Sequence, residues 1–168
     1  MRPELVDRVS HLLGEDILQW GEIRFEQAPQ SHLHWHTDTE YDYWSGVSVW
    51  LGVQNVTPDS ALKLMPCSDR FPRTPEDFQS SGGMSMADFA CDEQVLSLLR
   101  REMPDLEPRI VQPAVHDGEF LLFKGKLWHG SQNPSDTTRV AMGLRYATPD
   151  RRVRTPFTCL HPVAAPTS

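Results

Sequence analysis

Three histidines alternate with other residues along one short stretch of the chain, from His32 to Asp38. A period of two is typical of a β-strand, in which residues i and i+2 project from the same face of the sheet. In an extended stretch, His36 and Asp38 can therefore reach one metal ion together. His34 falls on the same face, and we predict that it lines the pocket beside the metal. The pattern favours a fold built on sheets and predicts half of a metal site.

A third ligand is available some ninety residues further on, at His129. Two histidines and one carboxylate on one side of a metal leave about three of six octahedral positions open, which suits non-haem Fe(II) oxygenases. A closed four-ligand set rich in cysteine would indicate structural zinc instead, and the sequence offers no such set. A His-x-Asp pair alone is equally compatible with ordinary histidines on a partly exposed strand, and this alternative remains open here.

The composition restricts the possible partners. The formal net charge of −7 argues against nucleic acid and anionic membranes, since both favour basic surfaces. No apolar run approaches the roughly 18 residues that a membrane helix needs, and the N-terminus has no signal-peptide pattern. The three widely spaced cysteines, without a CxxC pair, are typical of a reducing compartment. We therefore expect a cytoplasmic protein that acts on a small molecule; its oligomeric state is not predicted.

The order of patterns along the chain predicts a single domain over residues 1–168, because no repeat or linker interrupts it. Residues 1–20 have apolar side chains near helical spacing and are predicted to be helical, with Gly14 as a point of division. Residues 22–148 are predicted to form a β core, and residues 149–168 a tail.

About eight short strands are predicted within the β core, because their sequences alternate or are rich in β-branched residues. An insertion at 70–108 interrupts them with a long surface loop (70–85) and a helix (86–103). This order indicates a mainly β fold of the sandwich or jelly-roll kind. The strands are predicted at residues 22–26, at the histidine stretch, and at 47–53, 61–65, 110–115, 119–123, 127–129 and 139–146.

The last predicted strand has two unlike faces. Its even positions are bulky and apolar, whereas its odd positions put Ala141 and Gly143 between Arg139 and Arg145. Small residues on one face predict that something other than side chains fills the space there. An arginine fork matches a carboxylate, so Arg139 is a candidate carboxylate anchor; a surface arginine at a strand end is the alternative. Arg145 is predicted to contact an acidic substrate group or to form a salt bridge at the mouth of the barrel.

Three blocks of sequence resemble the phytanoyl-CoA dioxygenase (PhyH) family of Fe(II)/2-oxoglutarate oxygenases, over roughly residues 30 to 148. The resemblance implies a double-stranded β-helix, a small cupin-like jelly roll, with an N-terminal helix and one helical insertion. Two turns depart from the family pattern, at Asp59-Ser60 and at residues 66–69. The blocks are residues 34–38, residues 56–62 with 65–68, and residues 118–123 with 129–133 and Arg139.

The resemblance implies roles for six residues and three small molecules. Arg139 matches the residue that pairs with the far carboxylate of 2-oxoglutarate, Ser131 matches a hydroxyl that assists it, and Trp50 matches an aromatic residue of the cosubstrate pocket. Fe(II), 2-oxoglutarate and O2 are the implied cofactor and cosubstrates. The residues that match the iron ligands, and are therefore implied to be catalytic, are His36, Asp38 and His129.

The implied reaction is hydroxylation of a small or natural-product-type metabolite, with release of succinate and CO2. Related halogenases replace the carboxylate ligand with a small residue, so the presence of Asp38 favours hydroxylation, desaturation or ring closure. The N-terminal portion that usually supplies a substrate lid is reduced to about thirty residues, so we expect a small substrate. The candidate substrate contacts are His34, Tyr41, Tyr43, Trp44 and Arg145.

Three alternatives remain open from the sequence. A metal-dependent cupin that does not use 2-oxoglutarate (an isomerase, epimerase or dioxygenase) would keep the histidines but would not need Arg139 or Ser131. A non-enzymatic β-sandwich binding module would have incidental histidines, and aromatic residues after Asp38 that only pack against the sheet. A degenerate family member would bind iron but turn over poorly.

Overall fold

Two antiparallel sheets make up most of the computed structural model, which describes residues 3–38, 46–149 and 161–162. The strands of these ranges are β1 (Leu18–Gln27), β2 (Ser31–His36), β3 (Gly46–Gln54), β4 (Leu62–Leu64), β5 (Phe120–Lys124), β6 (His129–Asn133), β7 (Arg139–Ala147) and β8 (His161–Pro162). The larger sheet has the order β5-β3-β7-β1-β8, and the smaller has the order β2-β6-β4.

The inner faces of the two sheets pack against each other around a cavity. Trp50 and Ala141 of the larger sheet share a buried apolar cluster with Leu62 of the smaller sheet. Residues from β1, β2, β3, β4, β5, β6 and β7 line the cavity. The predicted mainly β, double-sheet fold with an N-terminal helix and a helical insertion is confirmed.

The outer face of the larger sheet is covered by the N-terminal helix α1 (Pro3–Leu13). Leu5 and Val9 of this helix pack against Leu144 and Tyr146, which are even-numbered residues of β7. The bulky face of β7 therefore does what the sequence predicts, since it packs against another layer.

The predicted helix over residues 1–20 is wrong in its second half. Helix α1 ends at Leu13, where Gly14 adopts a left-handed conformation (φ 97°) and donates to the carbonyl of Ser10 over 2.8 Å. A glycine at this position is a common helix terminator because it has no Cβ penalty. The chain then enters β1 at Leu18, since apolar residues at 17, 18 and 20 suit either period and pairing with β7 selects the strand.

The outer face of the smaller sheet is covered by the insertion, which contains the helices α2 (Pro75–Ser80) and α3 (Asp92–Glu102). Helix α2 lies within the predicted loop 70–85, which is therefore not entirely irregular. Its start is set by a capping box, in which the Asp77 backbone N–H donates to the Thr74 hydroxyl and the Thr74 backbone N–H donates to the Asp77 carboxylate. Among the residues described here, no helix is long and apolar enough to cross a membrane.

Two further segments differ from the sequence prediction. The strand predicted at 110–115 is reduced to a single bridge between Val111 and Leu64, because Pro113 cannot donate to a ladder. The predicted tail contains β8, which pairs with Leu18 and Gln19 at the edge of the larger sheet. Tyr41, Tyr43 and Trp44 lie outside the described residues.

We predict that Gly52→Ala destabilises the fold. A Cβ atom at Gly52 would lie 2.7 Å from the backbone carbonyl oxygen of His116. That carbonyl accepts from the Glu119 N–H in a turn that is itself hydrogen-bonded to Gly52, so the backbone cannot move aside cheaply. The expected loss is about 1–3 kcal/mol in the free energy of unfolding, measured by urea denaturation. Gly83→Ala is the matched control, because its Cβ would have no contact closer than 3.6 Å. Equal losses in the two variants would contradict the steric account.

Candidate active site

The two stretches that the sequence predicts to meet do meet. His36 at the end of β2, Asp38 two residues later and His129 at the start of β6 each offer a ligand atom, and these atoms lie within 4.8 Å of one another. His129 Nε2 lies 3.8 Å from Asp38 Oδ1. The two imidazole rings have centroids 4.2 Å apart. This spacing is compatible with one metal ion held by all three side chains.

Both histidines are oriented in the same way by the backbone. His36 Nδ1 lies 2.8 Å from the carbonyl oxygen of His34, and His129 Nδ1 lies 2.8 Å from the carbonyl oxygen of Leu127. A carbonyl oxygen can only accept, so each Nδ1 carries a proton, and Nε2 is the nitrogen that has the lone pair in the neutral imidazole. The hydrogen bond of one ring nitrogen thus fixes the other as the metal-binding atom.

The protonation states of the site are those that a metal needs. Burial, together with the neighbouring His129, lowers the pKa of His36 from 6.5 to about 4. For Asp38, burial alone would raise the pKa, but His129, the Arg145 guanidinium and a hydrogen bond from Ser48 outweigh it and lower the pKa. At neutral pH the pair is therefore a neutral imidazole and an ionised carboxylate, the forms that bind metal.

A bulge in β2 changes which residues face the cavity. The pairing of β2 with β6 slips between Leu33 and His36, and both of these residues line the cavity although they are three apart. His34 is not among the lining residues; its ring centroid lies 5.7 Å from that of His36. Strict alternation, which predicts a pocket-lining His34, fails here because the extra residue of a bulge shifts the face on which side chains emerge.

Arg139 lies deep between the sheets and not at the surface, with 1% of its area exposed. Nη1 donates to the carbonyl oxygen of Ser60 over 2.6 Å, Nη2 donates to the Ser131 hydroxyl over 3.4 Å, and the guanidinium lies 5.2 Å from the ring centroid of Trp50. Nε has no hydrogen-bond partner among the described residues. Burial lowers the pKa of Arg139 to about 10. The three residues predicted to hold the cosubstrate therefore lie together.

The buried charge of Arg139 is not compensated by a carboxylate within the described residues. A buried charge without a partner is costly unless another group neutralises it. The cavity around Arg139 also reaches His129 and Asp38. An anion that extends from the metal ligands to Arg139 would supply the missing charge.

Arg145 forms the salt bridge that the sequence offers as one of two roles. Nη2 donates to Asp38 Oδ1 over 2.5 Å, and the guanidinium lies 5.5 Å from the ring centroid of Trp20. The space beside Gly143 is filled by the ring of Phe25, which a Cβ on Gly143 would approach to 3.0 Å. The small residues of β7 thus make room for a neighbouring strand's side chain as well as for the cavity.

Two residues of the site are not found by the sequence reasoning. Ser48 of β3 donates a hydrogen bond to Asp38, and Phe123 of β5 packs edge-on against His129 with centroids 4.8 Å apart. Ser48 lies two residues before Trp50, so extending the period-two pattern from Trp50 would have identified it. Phe123 has no distinguishing signal among the apolar residues of its strand.

Comparisons with known proteins identify the family of this chain and its fold. The family model described as phytanoyl-CoA dioxygenase (PhyH) matches residues 1–141. A comparison with curated proteins gave no match. Solved structures with the same fold include the non-heme monooxygenase ThoJ in its apo form, with 17% identity and a TM-score of 0.66. This chain is covered to 99% in that comparison and spans 60% of the ThoJ chain.

Two other solved structures were determined with small molecules bound. EctD from S. alaskensis, with 2-oxoglutarate and 5-hydroxyectoine, is 22% identical with a TM-score of 0.61; 92% of this chain is covered, and it spans 52% of EctD. The epimerase SnoN, in complex with Fe3+, alpha ketoglutarate and nogalamycin RO, is 12% identical with a TM-score of 0.63; 99% of this chain is covered, and it spans 68% of SnoN. At these identities the likeness shows the fold.

We predict that Asp38→Ala and His129→Ala each lower the affinity for Fe(II) by about a hundredfold or more, since each removes a ligand atom. His34→Ala is the control, because the hydrogen bond to His36 comes from the backbone of His34 and persists. Anaerobic Fe(II) titration measures the three affinities. Equal affinity in the wild type and in both ligand variants would instead support a binding module with incidental histidines.

We also predict a pH dependence of stability in the metal-free protein. The folded pKa of His36, about 4, lies below its unfolded value of 6.5, so between these values only the unfolded chain binds the proton. The contribution of His36 is therefore complete above pH 6.5 and is lost as the pH falls towards 4, by about 3 kcal/mol. Urea denaturation across this range should show a smaller loss in His36→Gln than in the wild type. His11→Gln, on α1, should behave like the wild type.

Proposed function

This chain belongs to the phytanoyl-CoA dioxygenase (PhyH) family, and on that premise we propose that it is an Fe(II)- and 2-oxoglutarate-dependent oxygenase. Its metal is held by His36, Asp38 and His129, and its cosubstrate is held by Arg139 with Ser131 and Trp50. The proposal extends to the whole reaction, although the chain spans only about half to two thirds of the solved structures described above.

The observation that carries the proposal is the uncompensated charge of Arg139. A dianion such as 2-oxoglutarate could place one carboxylate against this guanidinium and its other end at the metal ligands. The unpartnered Nε is a donor available to that carboxylate. The Ser131 hydroxyl donates to Gln27 Oε1 over 3.0 Å and would have to rotate away from it to donate to the carboxylate. Trp50 supports the guanidinium from one side, which favours a fixed orientation of its fork.

The donor set fits iron. Two neutral imidazoles and one carboxylate, with no thiolate, are the ligands that suit Fe(II) in oxygenases. When bound, iron, 2-oxoglutarate and O2 supply oxidative decarboxylation, with release of succinate and CO2, and oxidation of the substrate.

The chain's own residues prepare that chemistry. Arg145 and Ser48 hold the carboxylate of Asp38 ionised and oriented. The apolar walls formed by Leu62, Val49 and Phe123 limit the access of water to the metal ligands, which strengthens the electrostatic interactions inside the cavity. The site is therefore organised by interactions that do not depend on the substrate.

The outcome of the oxidation is a narrower proposal. Hydroxylation of a small metabolite is the outcome that we propose, with Asp38 excluding a halogenase-type ligand set. The neighbour SnoN, described as an alpha ketoglutarate dependent epimerase, has the same fold, so the outcome must be tested separately from cosubstrate use. Tyr41, Tyr43, Trp44 and His34 stay proposed substrate contacts, and a cytoplasmic location stays a prediction.

The main alternative is a metal-dependent cupin that does not use 2-oxoglutarate. Such an enzyme would need His36, Asp38 and His129 but would have no use for a buried, uncompensated arginine. The charge of Arg139 therefore favours the 2-oxoglutarate-dependent oxygenase. A measurement of 2-oxoglutarate binding distinguishes it from the cupin.

We predict that Arg139→Gln lowers the affinity of the Fe(II)-loaded protein for 2-oxoglutarate by about thirtyfold to a hundredfold, since a charge-assisted pair contributes about 2–3 kcal/mol. Fe(II) affinity should stay within a few-fold, because Arg139 is not a ligand. Anaerobic calorimetry measures both affinities. Arg101→Gln, which removes an exposed arginine of α3, is the control.

The same preparation tests turnover. Iron-loaded wild type given 2-oxoglutarate, O2 and candidate metabolites should release succinate, and Asp38→Ala should not. If the wild type binds Fe(II) but neither binds 2-oxoglutarate nor forms succinate, the cupin alternative replaces the oxygenase.

A further inference from the structure

We propose that Asp92, in the first turn of α3, is a positioning residue for the metal centre. It acts from the outer side of the three-stranded sheet, where it fixes the two strands on either side of β6. The inference rests on the proposed function, since it concerns the histidines that would hold the metal. Asp92 itself is not among the residues that line the cavity.

One carboxylate joins three separate elements. Trp35 Nε1, on β2, donates to Asp92 Oδ1 over 2.9 Å. Lys63 Nζ, on β4, donates to Oδ1 over 2.7 Å and to Oδ2 over 2.8 Å. Lys63 is almost completely buried, and its ammonium lies 5.7 Å from the centroid of the Trp35 ring. A lysine that is buried in this way, bonded to both oxygens of one carboxylate, has a fixed position and not a solvated one.

The partners of Asp92 are neighbours of the metal-binding histidines. Trp35 directly precedes His36, and Lys63 is paired in the sheet with Gly130, which directly follows His129. The strand order β2-β6-β4 puts β6 in the middle. Asp92 therefore ties β2 to β4 across the strand that carries His129.

Gly130 leaves the outer face of β6 open at this point. His129 and Ser131 both line the cavity, so alternation directs position 130 outwards. A Cβ atom on Gly130 would lie 3.1 Å from the carbonyl oxygen of Leu33. Because glycine has no side chain, the backbone of β2 can approach β6 closely beside the irregular pairing that precedes His36.

The β2 strand needs this support because its own ladder is interrupted. The register slips between Leu33 and His36, so regular pairing with β6 does not determine the backbone just before the metal ligand. Trp35 lies within the slip, has 1% of its area exposed and is held by Asp92. The anchored side chain of Trp35 fixes the backbone at a point where regular pairing does not. Because His36 is the next residue, its position is fixed as well.

The alternative is that Asp92 only stabilises the fold. Measurements of metal binding distinguish this alternative from a role in positioning the histidines. Trp35→Phe keeps an aromatic ring in the core but removes the N–H donor together with part of the indole ring, and Asp92→Ala removes the whole tie. Asp92→Asn keeps an acceptor for Trp35 and should restore part of the effect. Val9→Ala, in the core between α1 and the larger sheet, is the control that lowers stability without touching this cluster.

The experiment uses Co(II) as a redox-stable probe of the full chain and records both its affinity and its visible absorption spectrum. We expect Asp92→Ala and Trp35→Phe to weaken Co(II) binding about fivefold to tenfold and to change the spectrum. We expect Asp92→Asn to lie between them and the wild type, and Val9→Ala to change only the melting temperature. Trp35→Phe retains the test if Asp92→Ala does not fold.

Unchanged Co(II) affinity and spectrum in Trp35→Phe and in folded Asp92→Ala, with a lower melting temperature, would overturn the inference and leave a structural tether. Failure of the proposed function gives a different result. In that case the wild type binds no Co(II), or the wild type and Asp38→Ala bind Co(II) with the same affinity. That result would overturn the inference together with the function.

Discussion

Two tryptophans, each directly before a histidine of the candidate metal centre, are buried on the opposite face of the three-stranded sheet. Trp35 precedes His36 and Trp128 precedes His129, and both tryptophans are 1% exposed in the core beneath the insertion. Trp128 meets the rings of three phenylalanines edge-on. Because alternate side chains of a strand point to opposite faces, anchoring each tryptophan outside also directs each histidine inside. The insertion thus helps to fix the two strands that carry the histidines, although none of its residues lines the cavity.

The cavity contains one buried charge that the protein neutralises, on Asp38, and one that it does not, on Arg139. Asp38 is paired with Arg145 and with a hydroxyl of Ser48, so its charge is supported by the protein. Arg139 has only neutral partners within the described residues, and burial depresses its pKa. Keeping a guanidinium in that state costs stability, and a bound dianion would recover it. A buried guanidinium without a counter-charge among the described residues therefore lies where a cosubstrate is proposed.

The sequence correctly predicts that His36, Asp38 and His129 come together and that β7 has two unlike faces, because both depend on side-chain identity and on a period of two. It fails where pairing partners decide the outcome. The bulge in β2 is invisible in the order His34-Trp35-His36, since a slip in register depends on the opposite strand. The entry into β1 at Leu18 depends on β7, more than 120 residues away. The tie at Asp92 joins residues 29 and 57 positions distant, a separation that local pattern cannot bridge.

The place of β7 in the larger sheet has a consequence for the order of events during synthesis. β7 lies between β1 and β3 and pairs with both, yet it follows them, and every strand of the smaller sheet, in the chain. Until residue 147 is available, β1 and β3 have no common partner and their edges stay open. Such distant pairings also form slowly. A nascent chain that stops after β6 already contains His36, Asp38 and His129, but it lacks Arg145, which pairs with Asp38, and the strand that joins β1 to β3. The three candidate ligands are therefore held in place only after β7 has been synthesised and the larger sheet has closed.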